Sequence, residues 1–500
     1  MHFPLLSLLI FLPLVFGAII VAVASSGRAE ANTYRSIGLA GSVVTAAVVL
    51  FIVMTQYSWN QAGYQLVEQT SWLPALNSSY HLGLDGLSLL LVILTVLITP
   101  IAILVSSESI TERTATYVGL VLLLETALLG VFLSLDLILY YVFWEGVLIP
   151  TYLLIGVWGG TRRVYAAIKY VLYTMVGSLL MLVGVVGVYV YSSAHTFDIP
   201  ALSAASASVS VPIQTALLVT FALAFGIKSA LWPFHSWAPD VYTESATPTT
   251  IMLSGVVSKM GVYGFLRIAL PIFPMASHNL APIGAAFAVV GILYGALLAL
   301  TQTDAKRLVA CSSISHMGFI LLGVFALNAQ GVQGATLQML NHGVTTTALF
   351  VIVGAIAWRW GTTDLGKIAG LGRDARVLAA VFLLVTLSSL GLPGLNSFAG
   401  EFLILLGAFE NSSILGILGT VGVILAAWYM LRLFQGAMHG PEPEATANPA
   451  RGFALRNYEM VALVPLLVLI VWIGVAPGGW LHPDSYVTQM IVHTVSTGGR

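Results

Sequence analysis

Charge and cysteine are the two things this chain most lacks. Of its 500 residues only 19 are Lys or Arg and 20 are Asp or Glu, so 8% of the chain is charged. Soluble domains carry roughly 25%, and a water-soluble globule is excluded. The single cysteine, Cys311, sits among small and hydroxyl residues, so the chain by itself can build no disulfide, iron–sulfur cluster or thiolate zinc site. Redox cofactors must be held elsewhere. A formal net charge of −1 leaves no basic surface for nucleic acid. A Gly-rich phosphate loop, an HExxH and a nucleophile elbow are all missing, which removes support for nucleotide or hydrolytic chemistry.

In place of charge there is apolar sequence: 58% of residues are hydrophobic and the mean hydropathy is +0.96. Cut at Gly, Pro and charge clusters, the apolar runs fall at 3–24, 35–55, 84–105, 115–133, 136–158, 164–191, 211–231, 247–270, 280–301, 305–327, 333–358, 377–409, 412–436 and 458–476. Each is long enough to cross a bilayer, which needs about 20 residues per helix. The expected fold is therefore an all-α polytopic membrane protein of about 14 transmembrane helices. The first run, Phe3 to Ala24, lacks a basic n-region and exceeds a usual signal-peptide core, so it reads as the first membrane helix. The connections Gln56 to His81, Ser192 to Ser210 and Gly436 to Asn457 are too short to fold alone and read as extramembrane loops.

Lys and Arg concentrate near cytoplasmic span ends. The odd-numbered loops hold 15 of them (Arg28, Arg35, Arg113, Arg162, Arg163, Lys169, Lys306, Arg307, Arg359, Lys367, Arg373, Arg376, Arg432, Arg451 and Arg456), and the even-numbered loops hold only Arg267. One missed or invented span would scramble this alternation, so it supports the helix count. It also predicts that both termini face outward.

Arg500 is terminal, which leaves Lys228 and Lys259 inside spans. An ammonium at membrane depth costs at least about 2.5–3.5 kcal/mol, so each needs a partner, a hydrated cavity or a neutral state. Glu125, Asp136, Glu145 and Glu401 also fall within or at the start of spans, as do His316 and His342. Lys228 precedes Ser229-Ala230-Leu231-Trp232-Pro233, where the proline must break the seventh helix. Gly391-Leu392-Pro393-Gly394 breaks the twelfth helix beside Glu401 in the same way. Lys228 and Glu401 are 173 residues apart, as are Lys169 and His342, and Glu145 and His316 are 171 apart. Helices 4–8 and 9–13 therefore read as two five-helix repeats, and an odd number of spans per repeat forces inverted topology. This divides the chain into three N-terminal helices (1–114), a first repeat (115–270), a second repeat (280–436) and a C-terminal loop with helix 14 (437–500).

Glu145 and Lys228 are complementary charges whose pairing or separation would couple their protonation. A static ion pair fixing helix packing is the competing account. Lys259 could exchange a proton with Lys228 through water, and His316, His342 and Glu401 extend the polar line into the second repeat. Bonding of each histidine to a neighbouring carbonyl is the plainer alternative there. Glu125 and Asp136 could cap or pair locally, while Asp85 and His235 lie near span ends where interfacial water accounts for them. The Trp, Tyr and Met residues read as interface anchors and packing, and Asn77-Ser78-Ser79 is a glycosylation pattern of low specificity.

The segments Leu135 to Glu145, Lys228 to Asp240, and Asp304 to Leu308 leading into Ser312 to Gly318 resemble the antiporter-like membrane subunits of respiratory complex I. The twelfth-helix pattern Gly391 through Leu403, with Glu401 where sister subunits usually carry lysine, is similar to the type called subunit 4 in mitochondria. The lack of a long amphipathic helix after helix 14 points the same way. The resemblance implies one proton translocated per quinone reduction, coupled at a distance to electron transfer in other chains. It also implies roles: Glu145 and Lys228 as the ion pair, Lys259 as central exchanger, His316 and His342 as relay, and Glu401 as the exit-side group. NADH, FMN, iron–sulfur clusters and quinone would belong to partner subunits, with two sister antiporter-like subunits alongside in a bacterial plasma membrane. The competing readings are a subunit of an Mrp-type cation/proton antiporter and a membrane-bound hydrogenase module. A solute transporter would need a substrate-sized polar cavity, and a scaffold would have no use for two intramembrane lysines.

Overall fold

The computed structural model describes residues 4–27, 29–440 and 454–498. Arg28, Arg451 and Arg500 of the basic-residue count lie outside the described residues. Thirteen helices are long and apolar enough to span a membrane. They are α1 (Leu5–Ser25), α2 (Ala31–Gln56), α3 (Gly86–Ser109), α4 (Thr114–Leu133), α5 (Leu137–Trp158), α6 (Arg163–Tyr191), α7 (Val211–Lys228), α8 (Thr247–Ile272), α9 (Pro274–Thr301), α10 (Ala305–Phe325), α11 (Ala329–Trp360), α13 (Ser413–Met438) and α14 (Asn457–Val475). The expected fourteenth is α12, present as two pieces too short to be counted singly, α12a (Arg376–Ser389) and α12b (Asn396–Asn411).

Helix starts follow local capping chemistry, in which a side-chain oxygen satisfies an otherwise free N–H of the first turn. Asp85 accepts from Ser88 N at 3.0 Å to open α3, Asp136 from Ile138 N at 2.9 Å to open α5, and Asp304 from Arg307 N at 2.8 Å to open α10. Asp136 is thus a local cap. The arrangement is duplicated, since Asp136 also bridges in antiparallel fashion to Asp198, and Asp304 to Asp364.

The most hydropathic stretches of α8 and α10 are wholly buried and that of α11 is 94% buried, whereas in α1, α2, α13 and α14 the figure is 33%. Lys259, His316 and His342 therefore stand in an inner layer shielded from lipid, where their side chains can be met by other protein groups.

Several features depart from the sequence expectation. The Gln56 to His81 connection is not merely a loop: Gln65–Leu73 (β1) and Ser78–Leu84 (β2) form an antiparallel hairpin, turned at Asn77 with φ of 50°. Polar bonds seat it on neighbouring helices. Glu68 accepts from Leu6 N at 2.6 Å at the start of α1, Ser78 donates to Asp136 at 3.0 Å, and His81 meets Asp198 at 2.6 Å. The seventh helix breaks at Lys228 as expected, but its second half is a separate helix, Trp237–Glu244, in what the sequence gives as a loop. Lys169 and Lys306 are also in helices, within the first two turns of α6 and α10, and they clamp that second half. Lys169 Nζ is 2.8 Å from Asp240, and Lys306 Nζ donates to Thr243 O and Ser245 O at 2.9 and 2.5 Å. Burial raises the Asp240 carboxyl, but Lys169 and then Arg307 outweigh this and hold it below the ordinary carboxylate value.

Arg267, assigned by the loop count to an even loop, lies inside α8 and is 2% exposed. Its Nη2 is 2.5 Å from Asp85, so Asp85 is a buried ion-pair partner and not a wetted span end. Finally, a helix absent from the sequence reading, α15 (Gly478–Gly498), follows α14 and packs against α11.

Candidate functional site

Lys259 sits in α8 between two π-helical segments, Leu253–Val257 and Phe265–Ala269. Single π turns interrupt the regular bonding ladder and are frequent at functional sites. Nζ of Lys259 donates to Ser254 O at 2.5 Å, a carbonyl that also accepts from Ser258 Oγ at 3.0 Å, and lies 2.8 Å from His342 Nδ1. Lys259 is fully buried, and Nε2 of His342 has no hydrogen-bond partner. Acceptance at Nδ1 puts the proton of a neutral His342 on that unpartnered Nε2.

From His342 the line continues to His316, whose ring centroid is 5.5 Å away. Nδ1 of His316 lies 3.3 Å from Glu401 Oε1, an ion-pair distance that lacks hydrogen-bond alignment, and its Nε2 meets Tyr429 Oη at 3.2 Å. Glu401 accepts from Gln338 Nε2 at 3.2 Å. The break in α12 makes room for this carboxylate. Gly391 has φ of +78°, which favours glycine, and a Cβ there would stand 2.7 Å from Glu401 Oε2. The freed backbone is held by Asn396, which accepts from Ser388 Oγ at 2.6 Å and whose carbonyl accepts from Asn341 Nδ2 at 2.8 Å.

Lys228 is 2% exposed at the end of α7. It forms no ion pair with Glu145. Its Nζ donates to Tyr170 Oη at 3.1 Å and lies 5.4 Å from the ring centroids of both Trp144 and Tyr170, so aromatic faces and a hydroxyl replace the expected carboxylate. Glu145 is half-buried on α5, with Oε1 unpartnered. The contact of Lys228 on this helix is Trp144, the residue before it. The segments that carry Lys228 and Lys259 approach closely: a Cβ on Gly261 would stand 2.2 Å from Ser229 Oγ, and that hydroxyl is itself buried without a partner. Orphan polar atoms of this kind are where ordered water binds.

Of the six residues singled out from sequence, four (Lys259, His342, His316 and Glu401) thus form one connected line, Lys228 adjoins it beside Ser229, and Glu145 stands apart from Lys228. Tyr170, Trp144, Ser254, Tyr429, Gln338 and Asn396 were not legible as site residues, because aromatic, hydroxyl and amide groups are common and carry no cost that marks them in a sequence. Among the described residues no group of three or more His, Cys, Asp or Glu could hold a metal ion.

Two family models cover most of the chain: residues 8–131 match "NADH-ubiquinone oxidoreductase chain 4, amino terminus" and residues 134–426 match "NADH:quinone oxidoreductase/Mrp antiporter, TM". The NADH-quinone oxidoreductase subunit M of Rickettsia prowazekii (strain Madrid E) is 36% identical over 483 residues, covering 96% of this chain and 97% of that one. The protein of the same name from Rhodobacter capsulatus is 37% identical over 502 residues, covering 98% and 96%. Among solved structures, a chain of respiratory complex I from Thermus thermophilus with bound NADH superposes with a TM-score of 0.88 at 32% identity, covering 98% of this chain and 99% of that chain. A chain of the Mrp complex from Dietzia sp. DQ12-45-1b shares the fold, with a TM-score of 0.85 at 23% identity over 99% and 100% of the two chains.

A bundle with two broken helices and a buried file of lysine, histidine and glutamate defines an antiporter-like, proton-translocating membrane subunit. The chain belongs to the NADH-quinone oxidoreductase subunit M family, a subunit of complex I. The complex I reading is therefore favoured over the Mrp-type alternative.

Proposed function

We propose that protons cross this subunit along Glu145, Lys228, Lys259, His316, His342 and Glu401, with Lys259 as the central exchanger. The observation that carries this is the 2.8 Å contact between Lys259 Nζ and His342 Nδ1. Passing the shared proton to the ring leaves a neutral amine and an imidazolium. The imidazolium can then release its Nε2 proton onward, towards His316 and the Glu401 carboxylate. Lysine suits the exchanger position because an ammonium, unlike a guanidinium, can give up a proton. Lys228, held by Tyr170 and the Trp144 face, would resupply Lys259 through water at Ser229. Glu145 acts on Lys228 through the charge it places on the same helix as Trp144.

The same reading makes helices 4–8 and 9–13 two inverted repeats, supported by the paired breaks at Lys228 and Gly391 and by the duplicated caps Asp136 and Asp304. It puts NADH, FMN, iron–sulfur clusters and quinone in partner subunits, with sister antiporter-like subunits beside this one. It sets the chain in a bacterial plasma membrane with both termini outside. Replacing Lys259 with Ala tests the pathway: NADH-driven proton translocation by native membrane vesicles should fall severalfold while a native gel still shows assembled complex. Unchanged translocation would remove Lys259 from the path.

A further inference from the structure

Glu125 is fully buried in α4 with no ion-pair partner and only the Thr99 hydroxyl beside its carboxyl group; the neighbouring Thr126 hydroxyl is unpartnered. Such a group is expensive to ionise in place, because hydrocarbon and protein interior offer nothing to replace water around the charge.

Its position relative to Lys259 follows from two bonds that tie α4 to α8. Tyr117 Oη meets Thr249 Oγ1 at 3.0 Å, and Tyr263 Oη donates to Phe132 O at 2.9 Å. The two helices therefore run side by side in a single register, which sets Glu125 level with Val256 and Val257. Lys259 is two or three residues further along, roughly 3–4.5 Å in depth at 1.5 Å per residue. Between them lie two threonine hydroxyls, of Thr99 and Thr347. Glu125 has the Thr99 hydroxyl of α3 alongside it. Ile98, next in sequence to Thr99, and Thr347 of α11 both crowd Gly255 in the π turn, where an added Cβ would stand 2.7 and 2.9 Å from them. The Thr347 hydroxyl is buried without a partner, and the same π turn presents Ser254 O to Lys259. The Thr99 hydroxyl, which donates to Thr95 O at 2.9 Å, and the unpartnered Thr347 hydroxyl thus stand between Glu125 and the π turn that holds the lysine, and water is the usual occupant of gaps beside such groups.

We propose that Glu125 is a second proton-exchanging partner of Lys259, restoring the proton that Lys259 gives to His342; this rests on the pathway above. The step balances. The Glu125 carboxylic acid loses H⁺ through an intervening water to the Lys259 amine, giving a carboxylate and an ammonium that stabilise each other. Glu125 is then reprotonated from water.

The test uses the assembled complex in native membrane vesicles. Glu125→Gln keeps the shape and a hydrogen-bonding amide but cannot carry the proton, so translocation per NADH oxidised should fall severalfold with assembly unchanged. A purely structural acid predicts that Gln is tolerated, and near-normal translocation would overturn the proposal. If the Gln variant does not assemble, infrared difference spectra of wild type and Glu125→Asp decide: a protonated-carboxyl band that shifts on substitution and responds to turnover supports exchange, and a band indifferent to turnover overturns it. Lys259→Ala is measured in parallel. Loss of pumping there with normal pumping in Glu125→Gln refutes Glu125 alone, whereas normal pumping in both refutes the pathway itself.

Discussion

Lys259 on α8 and His342 on α11, 83 residues apart in sequence, share a hydrogen bond of 2.8 Å in the innermost layer of the bundle. No carboxylate neutralises the pair directly, so the proton between them is the charge that the site must manage.

This makes the chemistry of residue 259 specific to an amine. Arginine keeps its charge permanently, since guanidinium does not deprotonate in proteins. Lys259→Arg should impair translocation almost as badly as Lys259→Ala, although the charge is conserved. A static structural lysine predicts the reverse, with Arg tolerated and Ala damaging assembly. Proton uptake in proteoliposomes beside a native gel separates the two, and full pumping by the Arg variant would remove the exchanger role.

Glu145 stands on α5 without contacting Lys228, so its influence must be exerted over a distance. Glu145→Gln keeps the shape and removes the charge. Pumping should collapse while assembly persists. Near-normal pumping would show that the carboxylate has no part in the switch.

Asp85 and Arg267 form a buried pair at 2.5 Å, with Ser88 and Tyr263 satisfying further guanidinium donors. Removing one partner leaves an uncompensated charge, which typically costs about 3–5 kcal/mol. Asp85→Ala should thus lower the thermal stability of the detergent-solubilised complex strongly, and combining it with Arg267→Met should recover much of the loss. Equal melting of Asp85→Ala and wild type would mean the pair contributes nothing.

With Arg267 placed inside α8, the even connections hold no Lys or Arg, whereas Arg113, Arg162, Lys367, Arg373 and Arg456 stand in odd ones. Single cysteines at positions 162 and 373, on a background lacking the buried Cys311, should react with an impermeant thiol reagent only after permeabilisation. A cysteine at position 496 should react in intact cells. Labelling of position 162 from outside would invert the topology.

The sequence by itself determined the number of spans, the charge asymmetry of the loops, the breaks at Lys228 and Gly391, and the short set of ionisable residues within the membrane. These are local properties: hydropathy, a proline's missing amide and the cost of a charge in hydrocarbon are fixed residue by residue. Which groups meet was decided only by the tertiary structure. Arg267 finds Asp85 across 182 positions, Lys228 takes Tyr170 and Trp144 instead of Glu145, and Lys259 takes His342 together with the Ser254 carbonyl of a π turn. The hairpin Gln65–Leu84 escaped notice because its fold depends on helix starts and loops distant in sequence, where Asp136 and Asp198 wait for its polar groups. Partner choice is a property of helix packing, and apolar helices of near-uniform hydropathy carry little sequence information about which neighbour each face will meet.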